Sequence, residues 1–370
     1  MSPRVAFLQS TVGFDGRSRT LAVAGSILNE LGIVPTLLTF SDERYVAKLR
    51  ANAPLPLELE HVQLDRPVAA RGHQFEQLVL PRAAAAELRA YDLVYASDTS
   101  VYWENPGQRT VRLVCFPIEA VPTYEVRYRR LPYRLYAAAG TAYRRLAFRG
   151  FPRNATWIAN SRFTKAEMLR RYPLSHRDVH VVYPPVDLRR QSHEDGRARR
   201  GVVTVGGFHE DKAQLEQIEI ARALGEVPFV LVGSTRSRRY FRRCVEAARD
   251  APNVELVPDA APAEVERRLA EAKVFLHTKR FEHFGMTTVE GVDRGCLPIV
   301  HDSGGQREVV PVAELRFGRA AEAVPLIRRA LAGELDAHLG TLRRHIQRFG
   351  IEQFRDRMAP LLVGAVDAAA

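Results

Sequence analysis

The sequence predicts an α/β protein made of two doubly wound parallel-sheet domains facing each other across a cleft, with a helix at the C-terminus. Three observations predict it. Short β-branched or apolar runs alternate with longer segments whose apolar residues recur at helical spacing. The 370 residues exceed one ordinary domain and suit two of roughly 150–200 residues each. The stretch 187–200, DLRRQSHEDGRARR, is almost free of apolar residues, and after it the strand–loop–helix rhythm restarts. The expected layout is therefore a first domain over 1–186, a linker over 187–200, a second domain over 201–350 and a terminal helix over 351–370.

The strand-like runs of the first half are Val5–Leu8, Pro35–Phe40, Leu93–Ala96, Val111–Phe116, Trp157–Ala159 and Val179–Tyr183. Those of the second are Val202–Val205, Phe229–Val232, Val254–Val257, Val274–His277 and Pro298–Val300. Leu21–Leu31, Leu215–Leu224 and Ala263–Ala272 read as helices between them. Short strands separated by helices imply parallel sheets joined by right-handed crossovers. Ligands of such sheets sit beyond the carboxyl ends of the strands.

Composition narrows the function classes. The three cysteines, Cys115, Cys244 and Cys296, are odd in number and far apart, which argues against a disulfide framework or a zinc site and for a reducing compartment. The opening MSPRVAFLQSTVGFDG is too short an apolar run for a signal peptide, and no stretch is long enough to span a bilayer. A cytoplasmic protein is expected. The net charge of +11 favours anionic partners. It comes almost wholly from arginine; there are five lysines, Lys48, Lys165, Lys212, Lys273 and Lys279.

The chemistry concentrates in Phe281–Val310, FEHFGMTTVEGVDRGCLPIVHDSGGQREVV. Glu282 falls in the loop after the run Val274–His277, and a helix begins near Gly285. The free N–H groups of Gly285, Met286 and Thr287 suit a phosphate, because a helix N-terminus carries about half a positive charge. Glu290, five residues into the helix, is placed to accept hydrogen bonds from a ribose diol. Taken singly, Glu282 reads more readily as a cap-region acid and Glu290 as a solvated helix residue; the spacing of the whole set carries the functional reading.

That stretch resembles the donor-site signature of retaining glycosyltransferases of the GT-B fold, the group called family 4, whose core is Glu-x7-Glu; Glu282 and Glu290 match it. VTVGGFHEDKAQ (203–214), LVGSTR (231–236), IANSRFTKAEM (158–168) and VVYPPVD (181–187) extend the resemblance over most of the chain. FEHFG and LPIVHDSGG are closest in wording to the dolichol-pathway α-1,2-mannosyltransferases and microbial relatives. The resemblance implies two Rossmann-like domains and a hexose, mannose favoured, moved with retention from a nucleoside diphosphate sugar to a lipid-linked or other glycan acceptor. GDP-mannose is the favoured donor and a UDP-sugar the other. It implies that Lys212 binds the diphosphate, that Glu282 holds sugar hydroxyls at the reacting centre as the catalytic residue, that Glu290 binds the ribose, that Gly285, Met286 and Thr287 take the phosphates, and that Val257 and Pro258 lie against the base.

Two positions depart from the family's wording. Gly207 stands where the phosphate loop has arginine, which leaves Arg236, Lys279 or Arg280 to supply the missing cation. Cys115 stands where the subfamily has histidine after the strand, which leaves the acceptor side and linkage open. There is no Asp-x-Asp pair, so neither a metal nor a tightly bound cofactor is expected.

In the first domain, STVGFDGRSR (10–19) follows the opening strand. Gly16 and Arg17 could meet the donor diphosphate or an acceptor phosphate; an ordinary strand-to-helix turn is the alternative. The segment Tyr124–Arg153 carries eight arginines against one acid, interleaved with tyrosine and phenylalanine. Arg127, Arg129, Arg130 and Arg134 are its candidate membrane-facing residues, for peripheral binding to an anionic membrane surface. No nucleic-acid recognition motif is present, so nucleic acid is not an expected partner. A non-catalytic or altered sugar-nucleotide-binding protein and a GT-B epimerase are the competing readings.

Overall fold

The computed structural model describes residues 3–13, 15–67, 79–97, 103, 108–147, 151–152, 154–188, 199–235 and 237–368. The body of the expected linker, 189–198, and Arg236 lie outside them. The chain forms two compact units: Met1–Pro185 together with Ile351–Ala370, and Val186–Gly350.

Unit 1 has a seven-stranded sheet of β1 (Val5–Leu8), β2 (Thr36–Thr39), β3 (Glu60–Gln63), β4 (Leu93–Ser97), β5 (Arg109–Val114), β6 (Ala155–Ala159) and β7 (Val179–Val181). The order is β3-β2-β1-β4-β5-β6-β7, and every pairing is parallel. Side chains alternate between faces along each strand. Val5 and Phe7 enter the core under the helix Gly16–Glu30, whereas Ala6 and Leu8 join Leu38, Val94 and Ala96 on the opposite face. β3 has one apolar residue, Val62, and lies at the sheet edge, which is why periodicity does not mark it.

The C-terminal helix Ile351–Asp367 packs on unit 1 although it follows unit 2. Phe354, Met358, Leu362 and Ala365 recur at helical spacing and are buried in the same cluster as Phe7, Leu21 and Leu28. Arg355 Nη2 reaches Glu30 Oε2 at 2.5 Å.

Unit 2 has a six-stranded parallel sheet of β8 (Val202–Val205), β9 (Phe229–Gly233), β10 (Val254–Pro258), β11 (Val274–His277), β12 (Leu297–His301) and β13 (Arg316–Phe317), in the order β10-β9-β8-β11-β12-β13. Its core holds Val203, Val232, Leu269, Phe275 and Cys296. Both sheets run outward in one direction from their first strand and then reverse, the Rossmann order with a switch point between the first and fourth strands. In unit 2 that point lies between β8 and β11. Where the chain enters and leaves this unit, Val186 bridges Gly350 and its N–H donates to the Phe349 carbonyl at 2.9 Å.

Candidate functional site

Two loops leave the switch point of unit 2. The first follows β8 through Gly206 and Gly207 and ends in the short turn Glu210–Lys212. Buried Gln214 ties it down by donating to the carbonyls of Gly206 (3.3 Å) and Gly207 (2.9 Å). Gly233, at the end of β9, must be glycine: a Cβ there would lie 1.9 Å from the Gly206 carbonyl oxygen.

The second loop follows β11. Thr278 Oγ1 donates to the Lys212 carbonyl (3.0 Å) and accepts from Gln217 Nε2 (2.8 Å), which couples the loops through the backbone. Their side chains then converge. Lys212 Nζ donates to Glu282 Oε2 at 2.6 Å, and Lys279 Nζ lies 3.4 Å from Glu282 Oε1. The His283 N–H donates to the same Oε1 at 3.0 Å. His277 Nε2 lies 3.4 Å from Glu282 Oε2, but neither ring nitrogen makes a hydrogen bond among the described residues.

The electrostatics follow from burial. Removal from water would raise the Glu282 carboxyl, but Lys212, Lys279 and His277 hold it well below the usual carboxylate range. Burial pulls the Lys212 ammonium below the ordinary lysine value while Glu282 pushes it back up. Burial also depresses the His277 imidazole, with Lys212 adding to the effect and Glu282 opposing it. Burial of a carboxylate requires compensation of this kind.

Beyond Glu282 the chain turns sharply. Gly285 takes φ +110° and caps the helix Met286–Asp293; its missing Cβ leaves room for Gln306, whose Nε2 would lie 2.6 Å from that carbon. Gln306 is buried and donates to Thr288 Oγ1 at 3.0 Å. The Gly304–Gly305 loop presses on the same turn: the Gly305 N–H donates to the Glu282 carbonyl at 2.7 Å. The N–H groups of Gly285, Met286 and Thr287 have no acceptor among the described residues. Glu290 is half-buried, one turn past Met286 on the same face of the helix.

The expected donor-site residues thus fall into one group and one outlier pair. Lys212, Glu282, Gly285, Met286, Thr287 and Glu290 belong to the two switch-point loops and the helix that follows. Val257 and Pro258 lie at the carboxyl end of β10, paired with Val232 and Gly233 of β9 and two strands from β8. Of the three cations that could compensate for Gly207, Arg280 is held by Glu216 at 2.9 and 3.3 Å, and Lys279 faces Glu282. His277, Thr278, Gln217 and Gln306 were not among the expected site residues. A titratable group ending a strand at the switch point is the signal that could have found His277.

In unit 1, Asp15 caps the helix Gly16–Glu30 by accepting from the Ser18 N–H at 2.9 Å, and Arg17 Nη2 lies 3.2 Å from Asp15 Oδ2. That helix start already faces a carboxylate. Cys115 is half-buried and packs against the core beneath the C-terminal helix. Arg129, Arg130 and Arg134 are exposed, whereas Arg127 pairs with Glu125 at 2.5 Å.

Two doubly wound units of this order make up the GT-B architecture, and comparison with known proteins adds the family. The family model described as "Glycosyl transferases group 1" matches residues 187–338, and that for "Glycosyltransferase Family 4" matches residues 28–190. The chain is 29% identical over 187 residues to a Xenopus tropicalis protein named GDP-Man:Man(3)GlcNAc(2)-PP-Dol alpha-1,2-mannosyltransferase, covering 45% of this chain and 38% of that protein. The chain therefore matches well under half of that relative's length. Among solved structures, a sucrose-phosphate synthase from Thermosynechococcus elongatus superposes with a TM-score of 0.74 at 18% identity, over 99% of this chain and 100% of that one. WaaG, a glycosyltransferase of lipopolysaccharide biosynthesis, gives 0.72 at 17%, over 97% and 100%. The chain belongs to the GT-B glycosyltransferases of group 1 and family 4.

Proposed function

We propose that the chain is a retaining hexosyltransferase that uses a nucleoside diphosphate sugar, with its donor site at the switch point of unit 2. The observation that carries this reading is the Lys212–Glu282 pair set beside a helix N-terminus with unengaged N–H groups. The diphosphate lies against the N–H groups of Gly285, Met286 and Thr287 and the Lys212 ammonium, which offset the charge that builds up as it leaves. Glu282 accepts from hydroxyls of the sugar, Glu290 accepts from the ribose, and Val257 and Pro258 border the base. The bond between the anomeric carbon and the diphosphate oxygen breaks, its electron pair leaving with the diphosphate. An acceptor hydroxyl forms the new bond and gives up its proton to the departing phosphate or to water. Retention is what family membership supports.

The relative's name supports GDP-mannose as donor and a lipid-linked glycan as acceptor. A lipid-linked acceptor calls for attachment to a membrane surface, and no helix among the described residues is long and apolar enough to cross one. The helix Leu131–Ala147 suits surface attachment. Leu131, Leu135, Ala138, Ala142 and Leu146 are all exposed and follow one another at helical spacing, beside exposed Arg129, Arg130 and Arg134. Tyr133 is exposed beside them.

The experiment is a transfer assay with radiolabelled GDP-mannose and UDP-sugars on a lipid-linked glycan acceptor, with product analysed for anomeric configuration. The reading expects one donor to be used with retention, and Glu282→Gln to lose most of the turnover while staying folded. An inverted product, or full turnover by Glu282→Gln, would sink it.

A further inference from the structure

We infer that Lys279 is the second diphosphate-binding cation of the site, working with Lys212 from opposite sides of Glu282. This rests on the donor-site reading above and adds a residue and a geometry to it. The loop after β8 offers one ammonium, Lys212, because position 207 is glycine and has no side chain to contribute. A departing diphosphate carries more negative charge than one lysine offsets, so a second cation is needed where that charge appears.

The structure supplies one from the other loop. Lys212 comes from the end of β8 and Lys279 from the end of β11, yet their ammonium groups lie 2.6 and 3.4 Å from the two oxygens of one carboxylate. The two lysines are coupled through the backbone as well, since Thr278, the residue before Lys279, donates to the Lys212 carbonyl at 3.0 Å. Lys279 is no solvated surface lysine: its side chain is 12% exposed. Arg280, its neighbour, is held away by both oxygens of Glu216.

Charge balance points the same way. Two ammonium groups share one carboxylate, and His277 beside them is biased toward its neutral form by burial. At the Glu282 carboxylate two ammonium groups thus face one buried acid, with Asp211 a further acid acting on Lys212, and the N-terminus of the helix Met286–Asp293 adds partial positive charge. Each lysine has three donors and directs one to Glu282 among the described residues, so both keep donors for phosphate oxygens. Glu282 holds the two lysines apart at a fixed spacing and remains an acceptor for the sugar.

The test is calorimetric titration of the full chain with GDP, UDP and the matching nucleosides. Lys279→Met should weaken the preferred nucleoside diphosphate roughly 10- to 100-fold, the loss expected for a charged hydrogen bond, and leave the nucleoside unchanged. Lys279→Arg, which keeps the charge, should retain most of the diphosphate affinity. Wild-type affinity in Lys279→Met, or equal losses in the Met and Arg variants, would overturn the role of Lys279 and leave the donor site standing. Failure of the wild-type chain to bind any nucleoside diphosphate would overturn the donor site itself, and the lysine pair with it.

Discussion

At Gly285 the backbone takes φ +110° and the side of the turn is filled by Gln306, so this residue is fixed both by conformation and by space. Such constraints are legible in sequence as a glycine at the head of a helix. Glu282 and Glu290 stand out in sequence for a similar reason, because their spacing around that glycine forms a pattern. His277 forms no pattern beyond the end of a strand run, since its surroundings depend on Lys212 and Lys279 arriving from two loops. Its depressed pKa leads to a prediction with a definite sign. An unfolded chain takes up a proton near the ordinary imidazole value of 6.5, whereas the folded site resists it. The His277 contribution is therefore fully present above that value and falls as pH drops through it, by at most about 1.4 kcal/mol per pH unit for one proton. His301, depressed by burial too, acts in the same window, and Glu282 extends the loss below 4.5. Denaturant titrations of the wild type between pH 8 and 5 should show this decline, and His277→Gln should flatten part of it. An unchanged slope in the variant would mean that His277 titrates alike in both states.

Among the elements, apolar runs were legible even where short and at an edge, as at β7 and β10, but the edge strands β3 and β13 were not. β13 has two residues and β3 a single apolar one, so neither has enough alternation to register. The helix Leu131–Ala147 was legible only as a basic, aromatic composition. Its inner face is fixed by buried Arg144, which lies 2.9 Å from Glu119 and is itself in reach of Tyr172 through that acid. The outer face is thereby committed to Leu131, Leu135 and Leu146, which are 64%, 61% and 81% exposed. That is more apolar exposure than a solvated helix needs. Each exposed arginine near an anionic surface adds roughly 1 kcal/mol, screened by salt. Cosedimentation with anionic liposomes at low salt is expected. It should weaken in high salt and in an Arg129→Gln, Arg130→Gln, Arg134→Gln variant, and drop further when Leu131 and Leu135 become Ser. Equal recovery with neutral liposomes, or none with anionic ones, would show that the helix faces something other than a charged bilayer.

For the molecule as a whole, the alternation of runs and helices sufficed for two parallel sheets because a buried parallel strand has few other sequences open to it. What the alternation could not convey was the return of the C-terminal helix to the first unit. Phe354, Met358 and Leu362 make an apolar stripe that fits any core, and only the fold selects which. The strand order places the switch point of unit 2 between β8 and β11, and there the topology, the lysines, the buried acid and the helix terminus coincide. The most direct test of that convergence is calorimetric titration of wild type and Lys212→Ala with GDP-mannose and UDP-sugars. The account predicts one saturable site per chain for one of these donors, with affinity lowered at least roughly 10-fold in the variant, as loss of a charged hydrogen bond requires. Donor binding of wild-type strength in a folded Lys212→Ala chain would contradict it.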